Sequence, residues 1–584
     1  MRDWPRAIRE FQTALSLDPA QIDSYAGLAL VYTAANRDSD AEAVLRKAIE
    51  VQPSSLDAFM ALADFYYLRH RLPEAEAALR AASELDPQAK APRLRLAKIY
   101  LDSGKLADAE KACAELRNRI PNDPDGYSAL ASFYEATGQK EKAAAELQVI
   151  VVAKPSDAGM KQRLTDVLID LNRVEEATRF NQQLLSASPN DARALSSKAR
   201  ILMTRNQYAE AKASLEKAIQ SDSHSATIYY LLGVAESALG QPDSARTRFA
   251  RALELSPGMA DAAIALADLE AAGGDWDNAL RLANQGLETK PDSALAHVVA
   301  GKAWLGKGNP SQAETQLRSA LDRDPGYVPA IAALLDLDAG QGRVSESIRR
   351  ISALVSQRPE DARLSMLLGL AYFKQGEFAS AEASVKHAIA IDRNTPEAYG
   401  LLGEISRAQG AWDQAISWYK AAIEANPKKA ENFMALSGLY EKQGSWEEAK
   451  RAAGQAHLLD PTSPFIANNL AYLYLDHDGD IHAALALAQQ AKQKLPDSPI
   501  VSDTIGWAYY KLGSPEAAIT QLSESVRKAP GNPTYQYHLG MAYLAAGQRG
   551  NAARSLRQAL STNPEFAYAA SARTALQSMA RIAP

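Results

Sequence analysis

The sequence has a single cysteine, Cys113, in its 584 residues, so no intrachain disulfide and no cysteine metal cage can form. It has no apolar run of about 18 residues, the length that a membrane-spanning helix needs, which argues against direct membrane insertion. It also lacks an excess of positive charge: 64 Lys and Arg residues face 70 Asp and Glu residues, for a net charge of −6. This mild acidity argues against nucleic acid as a partner.

Motifs of catalysis and cofactor binding are scarce as well. The eight histidines form no His-Glu-x-x-His pattern, and no glycine-rich phosphate loop follows a strand. The segment 476–482 places three Asp and two His residues around Gly479, which permits two interpretations, a divalent metal site or a solvated turn. Because the segment lacks the order of an EF-hand loop, we predict no enzyme, no cofactor and no metal site.

The sequence instead contains an internal repeat, marked by three kinds of residue. Prolines recur at intervals of 34 residues or twice that, as at Pro19 and Pro53, and the interval from Pro461 to Pro496 is 35 residues. A small residue, Ala in all but one repeat, lies twelve residues before each proline position. Gly or Asn lies five residues before that small residue in every complete repeat except one, in which His70 takes its place. Such a period indicates a stack of similar units rather than separate globular domains.

Each repeat is predicted to be two helices joined by a tight turn. Gly and Asn tolerate the left-handed backbone that ends a helix, and Pro is favoured at a helix start, where its missing N–H costs nothing. In one repeat this places the first helix at 396–409, the turn at Gly410 and the second helix at 412–426. Small residues such as Gly403 and Ala415 leave room for the two helices to approach closely.

These positions together resemble the tetratricopeptide repeat. The pattern of the family is seen in Tyr25, Leu28, Ala29, Tyr32, Ala41, Leu45, Ala48 and Pro53. The resemblance covers essentially the whole chain and implies an all-α, right-handed superhelical solenoid of about sixteen helix-turn-helix repeats. We predict a partial repeat over 1–19, thirteen repeats over 20–461, three more over 462–564, the first of them with one inserted residue, and a C-terminal capping helix over 565–584. Cys113 takes a position that holds Leu in other repeats, so we expect it in the core.

The chain begins within a repeat, because residues 1–19 supply only a second helix. A half-repeat leaves an apolar face uncovered, so we expect the chain to be a fragment of a longer parent, with a tolerated partial cap as the alternative. No signal peptide is visible in these residues. The compartment therefore stays open between the cytoplasm and, for a truncated chain, the periplasm.

The resemblance implies that the first helices line a concave groove, and the groove positions differ along the chain. In the N-terminal half they hold Asp57, Asp64, Asp125, Glu135, Asp166, Asp170, Asp261 and Asp268, relieved by Lys98, Arg193 and Arg200. Two interpretations stay open here, attraction of a basic partner and ordinary solubilising charge. In the C-terminal repeats they hold the candidate binding residues Phe465, Asn468, Tyr472, Asp503, Trp507, Tyr510, Tyr537 and Met541. Tyr and Trp commonly anchor interfaces, although packing on adjacent helices is the alternative.

Three stretches of the C-terminal part, 468–472, 503–507 and 537–540, are similar to the closing repeats of bacterial tetratricopeptide proteins tied to exopolysaccharide export and exosortase (PEP-CTERM) protein sorting. Two other specialisations of the family are not matched. No repeat carries the Lys and Asn pair of the clamp that grips chaperone carboxylates, and the asparagine ladder of glycosyltransferase-linked repeats is represented by Asn469 alone.

We therefore predict a non-catalytic scaffold or adaptor that binds a protein or peptide partner through its concave groove, in a bacterial multiprotein assembly. The alternative is an envelope component of exopolysaccharide export or protein sorting, in which Tyr472, Trp507 and Tyr510 contact carbohydrate. The sequence leaves the identity of the partner and the oligomeric state open.

Overall fold

A computed structural model describes residues 3–120, 123–393, 395–477 and 479–581. Over these residues the chain folds into α-helices joined by short turns, without any β-strand. It divides into two compact units, Met1–Lys307 and Gly308–Pro584.

Where the structure describes it, the first unit contains eighteen helices: α1 Trp4–Leu17, α2 Ile22–Ala34, α3 Asp38–Val51, α4 Leu56–Leu68, α5 Leu72–Leu85, α6 Lys90–Asp102, α7 Leu106–Arg119, α8 Pro124–Ala136, α9 Lys140–Ala153, α10 Ala158–Asp170, α11 Val174–Ala187, α12 Ala192–Thr204, α13 Tyr208–Ser221, α14 Ala226–Ala238, α15 Pro242–Leu255, α16 Ala260–Ala272, α17 Trp276–Thr289 and α18 Ala294–Gly306.

The second unit contains sixteen helices in its described residues: α19 Pro310–Arg323, α20 Val328–Gly340, α21 Val344–Gln357, α22 Ala362–Gln375, α23 Phe378–Ile391, α24 Pro396–Ala408, α25 Trp412–Ala425, α26 Ala430–Lys442, α27 Trp446–Leu459, α28 Pro464–Asp476, α29 Ile481–Lys494, α30 Pro499–Lys511, α31 Pro515–Lys528, α32 Pro533–Ala545, α33 Arg549–Thr562 and α34 Ala569–Arg581.

The turn within each helix pair adopts the left-handed conformation that the sequence predicts, with one exception. Asn36 has φ 57° and Gly104 has φ 70°, and His70, which replaces Gly or Asn in its repeat, also adopts φ 55°. The prediction is wrong at Gly479, which does not share this conformation. A Cβ atom there would lie 2.5 Å from the Cα atom of Tyr474, so Gly479 is needed for a close backbone approach.

Small residues allow the two helices of a pair to pack closely. The side chains of Ala41 and Ala415 have no solvent exposure (0 %). A Cβ atom on Gly403 of α24 would lie 2.7 Å from the ring of Tyr419 of α25. The predicted close approach of the two helices at Gly403 is therefore confirmed, and the space above the glycine is filled by Tyr419.

Hydrogen bonds between successive pairs supplement the apolar core of the first unit. The tyrosine at the eleventh position of a first helix donates its hydroxyl to a glutamate in the preceding second helix, from Tyr66 to Glu42 at 2.9 Å and from Tyr100 to Glu76 at 2.9 Å. Burial is the main cause that raises the pKa of Tyr100 to about 12. These tyrosines therefore stay protonated and keep donating near neutral pH.

The first and last helices each pack on one side only. In α1 no residue is fully buried, and Phe11 and Leu15 pack against the core from a half-buried position. In α34 Ala572 is fully buried, whereas Arg573 and Gln577 are exposed. Among the described residues, no helix is both long and apolar enough to cross a membrane.

Candidate functional site

The first-helix face is the surface formed by the first helix of each pair. In the first unit this face carries ion pairs between neighbouring repeats. Arg200 of α12 donates to Asp166 at 3.1 Å and to Asp170 at 2.6 Å, both in α10. Lys302 of α18 pairs with Asp268 of α16 at 3.4 Å.

Four further acidic residues predicted on this face also have cationic partners. The further pairs are Asp64 with Arg95, Asp125 with Lys90, Glu135 with Arg163 and Asp261 with Lys290. Within the described residues, Asp57 alone of the predicted acidic set has no such cationic partner. The first-helix face of this unit is therefore a ladder of paired charges and not an uncompensated acidic wall.

The helices α10, α12 and α14 enclose a hollow of about 350 Å³, here called the N-terminal cleft. Its buried polar groups satisfy one another. Gln162 Nε2 donates to Ser197 Oγ at 2.7 Å, and Ser197 Oγ donates to Asp166 Oδ1 at 2.8 Å. In the part of the chain that the structure describes, none of these three side chains has a buried atom without a partner.

In the second unit an aromatic residue, Trp507, takes the ninth position of α30, which Asp166 and Arg200 take in their own helices. Trp507 is only 5 % exposed. Its ring stacks on Tyr510 with centroids 4.6 Å apart and on His538 with centroids 4.0 Å apart. Packing with neighbouring helices, the alternative that the sequence left open, is therefore what the structure shows for Trp507.

Trp507, Tyr510, Tyr537, His538 and Tyr568 form an aromatic cluster. Tyr568 belongs to the turn before α34. Tyr568 stacks on Tyr537 at 4.9 Å, and its hydroxyl lies 2.9 Å from that of Tyr472. The Tyr568 hydroxyl also donates to Asp476, whose other carboxylate oxygen accepts the indole N–H of Trp507 at 3.2 Å. Burial, followed by the hydrogen bond to Asp476, raises the pKa of Tyr568 far above its ordinary value. The turn thus ties α28, α30 and α32 together.

Asp503 and His538 form a buried pair beside this cluster. Asp503 Oδ2 lies 2.9 Å from His538 Nδ1, and the two side chains are 4 % and 0 % exposed. The Nε2 atom of His538 has no partner within the described residues. A carboxylate this deeply buried is tolerated because the imidazole bonds to it.

The helices α26, α28, α30 and α32 enclose a second hollow, about 330 Å³ in volume, here called the C-terminal cleft. Its lining includes Gly438, Glu441, Asn468, Tyr472, Asp503 and Thr504. Asn468 is 3 % exposed, and its Oδ1 atom has no hydrogen-bond partner. Buried polar groups are nearly always bonded, so this amide is an exception in the lining of the cleft.

The structure separates the eight predicted binding residues into three groups. Asn468, Tyr472 and Asp503 lie together in the lining of the C-terminal cleft. Trp507 and Tyr537 are buried and Tyr510 and Met541 are half-buried, and all four pack with the aromatic cluster behind it. Phe465 is 66 % exposed and lies outside the cleft lining.

Sequence reasoning missed Glu441, Tyr535 and Tyr568. Glu441 and Tyr535 line the cleft. Glu441 takes the twelfth position of its first helix, as Glu135 and Tyr510 do, so the groove pattern could have found it, whereas Tyr535 takes the third position. Tyr568 gave no periodic signal, because α34 begins at Ala569, two residues later than a 34-residue step from Pro533 predicts. The one available sign in the sequence was that a tyrosine, Tyr568, lies between Pro564, the last proline of the period, and the start of α34.

The other chemistry-bearing residues have structural roles. In the turn after α28, Asp476 accepts the bonds described above, His477 stacks on Trp446 at 3.5 Å, and Asp480 caps α29. Asp478, also part of the segment 476–482, lies outside the described residues. Cys113 is 3 % exposed, which confirms its predicted core position, and burial raises the pKa of its thiol to about 11.

Comparison with known proteins was made for both the sequence and the fold. Two models of the Tetratricopeptide repeat match this sequence, one over residues 1–65, 66–133 and 236–305, the other over 164–226, 196–260, 332–394, 387–430 and 504–570. No curated protein matches it.

Two solved structures are similar. The crystal structure of the APC/C hetero-tetramer Cut9-Hcn1 covers 84 % of this chain and 96 % of its own, at 17 % identity and a TM-score of 0.50. A tetratricopeptide repeat protein from Parabacteroides merdae ATCC 43184 covers 42 % of this chain and 98 % of its own, at 22 % identity and a TM-score of 0.36. At such identities, the first likeness supports the fold alone.

Proposed function

Because this chain belongs to the tetratricopeptide repeat family, we propose that it is a non-catalytic scaffold that binds an extended segment of a partner protein in the C-terminal cleft. The observation that carries the proposal is the Asn468 amide, buried in the cleft lining without a hydrogen-bond partner. An extended peptide supplies backbone N–H and C=O groups, the partners that a carboxamide needs.

The surroundings of Asn468 fit such a ligand. Ile500 is 48 % exposed at the cleft and offers apolar surface, while Tyr472 is half-buried. The aromatic cluster behind the cleft holds α28, α30 and α32 in place, so the cleft is formed before the ligand arrives. A preformed site loses less conformational entropy on binding.

The burial of the Asp503–His538 pair argues against a role in acid–base catalysis. His538 has no exposed surface (0 %), so a substrate in solvent has no access to its imidazole. The Cys113 thiol is buried, and a pKa of about 11 keeps it protonated near neutral pH.

In the carbohydrate-binding alternative, Trp507 stacks on a sugar ring. The surroundings of Trp507 argue against that role. A sugar ring needs an open aromatic face, whereas Trp507 is 5 % exposed and already stacked on Tyr510 and His538. We therefore propose protein binding, within a multiprotein assembly, as the function of this surface.

The experiment is a selection of randomised twelve-residue peptides on the whole chain, followed by affinity measurement with a blocked cleft. Gly438 lines the cleft, and a Cβ atom there meets nothing within 4 Å, so Gly438→Met adds a long side chain to the cleft lining with no clash at its Cβ atom. Gly454→Met in α27 is the matched control, because its Cβ position is equally open but lies outside the cleft.

We expect the selected peptides to lose affinity at least tenfold for Gly438→Met and to keep it for Gly454→Met. Equal binding by the two variants, or no selected peptide at all, would count against the proposal.

A further inference from the structure

The C-terminal cleft offers hydrogen-bond acceptors and negatively charged side chains. Two carboxylates, Glu441 and Asp503, lie in its lining together with the unpartnered Oδ1 atom of Asn468. No lysine or arginine is part of that lining in the described chain. The N-terminal cleft differs, since Arg200 there lies against Asp166.

The two carboxylates stand in different surroundings. Asp503 is held by His538 at 2.9 Å and is fixed in position. Glu441 makes no hydrogen bond or ion pair with any residue that the structure describes. Burial raises the pKa of Glu441, the nearby imidazole of His477 acts in the opposite direction, and Asp476 adds a smaller effect in the direction of burial. The Glu441 side chain is exposed and has no hydrogen-bond partner among the described residues, so its carboxylate is free to pair with a cation that enters the cleft.

The cleft does not have the ligands of a metal site. Nowhere in the described residues do three or more His, Cys, Asp or Glu side chains come together in a way that would hold a metal ion. A cationic nitrogen group, in contrast, needs only acceptors, and each of its N–H bonds can be directed to a separate oxygen. The volume of about 330 Å³ admits a long side chain.

We propose that the C-terminal cleft takes the positively charged nitrogen group of a lysine or arginine side chain from the bound segment, between Glu441, Asp503 and the Asn468 amide oxygen. This inference rests on the proposed function, because it assigns the chemistry of the segment that the cleft binds. Charge complementarity carries it: the cleft supplies acceptors and negative charge, and the partner supplies the N–H donors.

The probes that test it are five libraries of twelve-residue peptides with randomised flanks and one fixed central residue: lysine, norleucine, arginine, citrulline or glutamate. Norleucine and citrulline keep the shape of lysine and arginine without the charge. We expect the lysine or arginine library to be retained on the whole chain at least fivefold more than its neutral counterpart, with glutamate retained least. The preference should weaken as salt is added.

Glu441→Gln is the decisive variant, because Glu441 has no partner whose loss would disturb the fold. It should reduce the preference for the charged library about fivefold, the upper scale of one solvent-exposed ion pair. Glu447→Gln is the matched control, since Glu447 lies in α27, is 76 % exposed and is outside the cleft lining. Asp503→Asn is a second variant. Because it also removes the partner of the buried His538, its binding result is interpreted only if an unfolding curve shows that the variant is folded.

The outcomes separate this inference from the function on which it rests. Equal retention of charged and neutral libraries, with binding still blocked by Gly438→Met, would overturn the cation site and leave the peptide groove intact. An equal effect of Glu441→Gln and Glu447→Gln would also overturn it. Failure of every library to bind would remove both proposals.

Discussion

Two clefts of nearly equal size lie on first-helix faces. They differ in whether their buried polar groups all have hydrogen-bond partners. The N-terminal cleft measures about 350 Å³ and the C-terminal cleft about 330 Å³. In the first, Gln162, Ser197 and Arg200 all bond to each other or to Asp166. In the second, Asn468 is buried without a partner for its Oδ1 atom. The two clefts therefore do not differ in size, but they do differ in whether a buried polar group lacks a hydrogen-bond partner.

The ninth position of the first helices shows how one repeat pattern yields both surfaces. Where it holds a charge, as in Asp166 and Arg200, neighbouring repeats neutralise each other by ion pairs across the face. Where it holds Trp507, neighbouring residues contribute aromatic rings that stack on the indole, and polar residues line the C-terminal cleft. The aromatic cluster thus supports the C-terminal cleft from behind.

The largest effect expected from this contrast is that of Trp507→Ala. Removal of a buried, stacked indole should lower the free energy of unfolding of the second unit by about 3–5 kcal/mol. The control is Trp412→Ala, because Trp412 is 37 % exposed and should cost much less. Urea unfolding followed by circular dichroism measures both. Similar losses for the two variants would contradict the supporting role of Trp507.

Tyr568→Phe should have the next largest effect. It removes a hydroxyl that bonds Asp476 and Tyr472 while it keeps the ring that stacks on Tyr537. Loss of one buried hydrogen-bonding group to a carboxylate predicts a decrease of about 1–3 kcal/mol in the free energy of unfolding. Thermal unfolding of the whole chain provides the measurement. A change below about 0.5 kcal/mol would show that the turn adds nothing through its hydroxyl.

A smaller effect, of opposite sign, is expected at Gly438. Gly438→Ala should stabilise the second unit by about 0.5–1 kcal/mol, because alanine restricts the unfolded chain and its Cβ atom here meets nothing. Gly403→Ala is the control and should destabilise, since its Cβ atom would collide with Tyr419 at 2.7 Å. Matched denaturation curves decide this prediction. A stabilising Gly403→Ala would contradict the packing described for the helix pairs.

The smallest effect is expected in the ion-pair ladder of the first unit. Arg200→Ala should cost less than about 1 kcal/mol, because Arg200, Asp166 and Asp170 are each roughly one-third exposed. The cost should shrink further in about 1 M salt, where surface charges are screened. Denaturation at low and high salt tests it. A cost that stays large at high salt would mean that the ladder is a buried network.

The helices were predictable from the sequence because their signals are local and repeated. The first helix expected at 396–409 is observed at Pro396–Ala408, and left-handed turns occur where Gly or Asn was expected. Gly479 is different because the inserted residue changes the end of α28, and a periodic pattern carries no information about such an insertion.

The candidate site was less predictable because burial on a first-helix face depends on contacts between distant residues. Trp507 is covered by His538 of the next repeat, and Tyr472 meets Tyr568, 96 residues further along the chain. Similarly, the acidic residues of the first unit gave no sign of partners such as Arg163, since these lie at other helix positions. Residue type alone identified the aromatic region, but it did not distinguish the side chains that line the cleft from those that pack in the aromatic cluster.

The most direct test of the central claim compares two matched positions on the first-helix faces. Ile500 and Leu295 each occupy the second position of a first helix and are 48 % and 43 % exposed, but only Ile500 lines the C-terminal cleft. A photo-crosslinking amino acid is placed at one position or the other, and the selected peptides are added. We predict crosslinks at position 500 and none above background at position 295. Equal crosslinking at both positions would contradict the account.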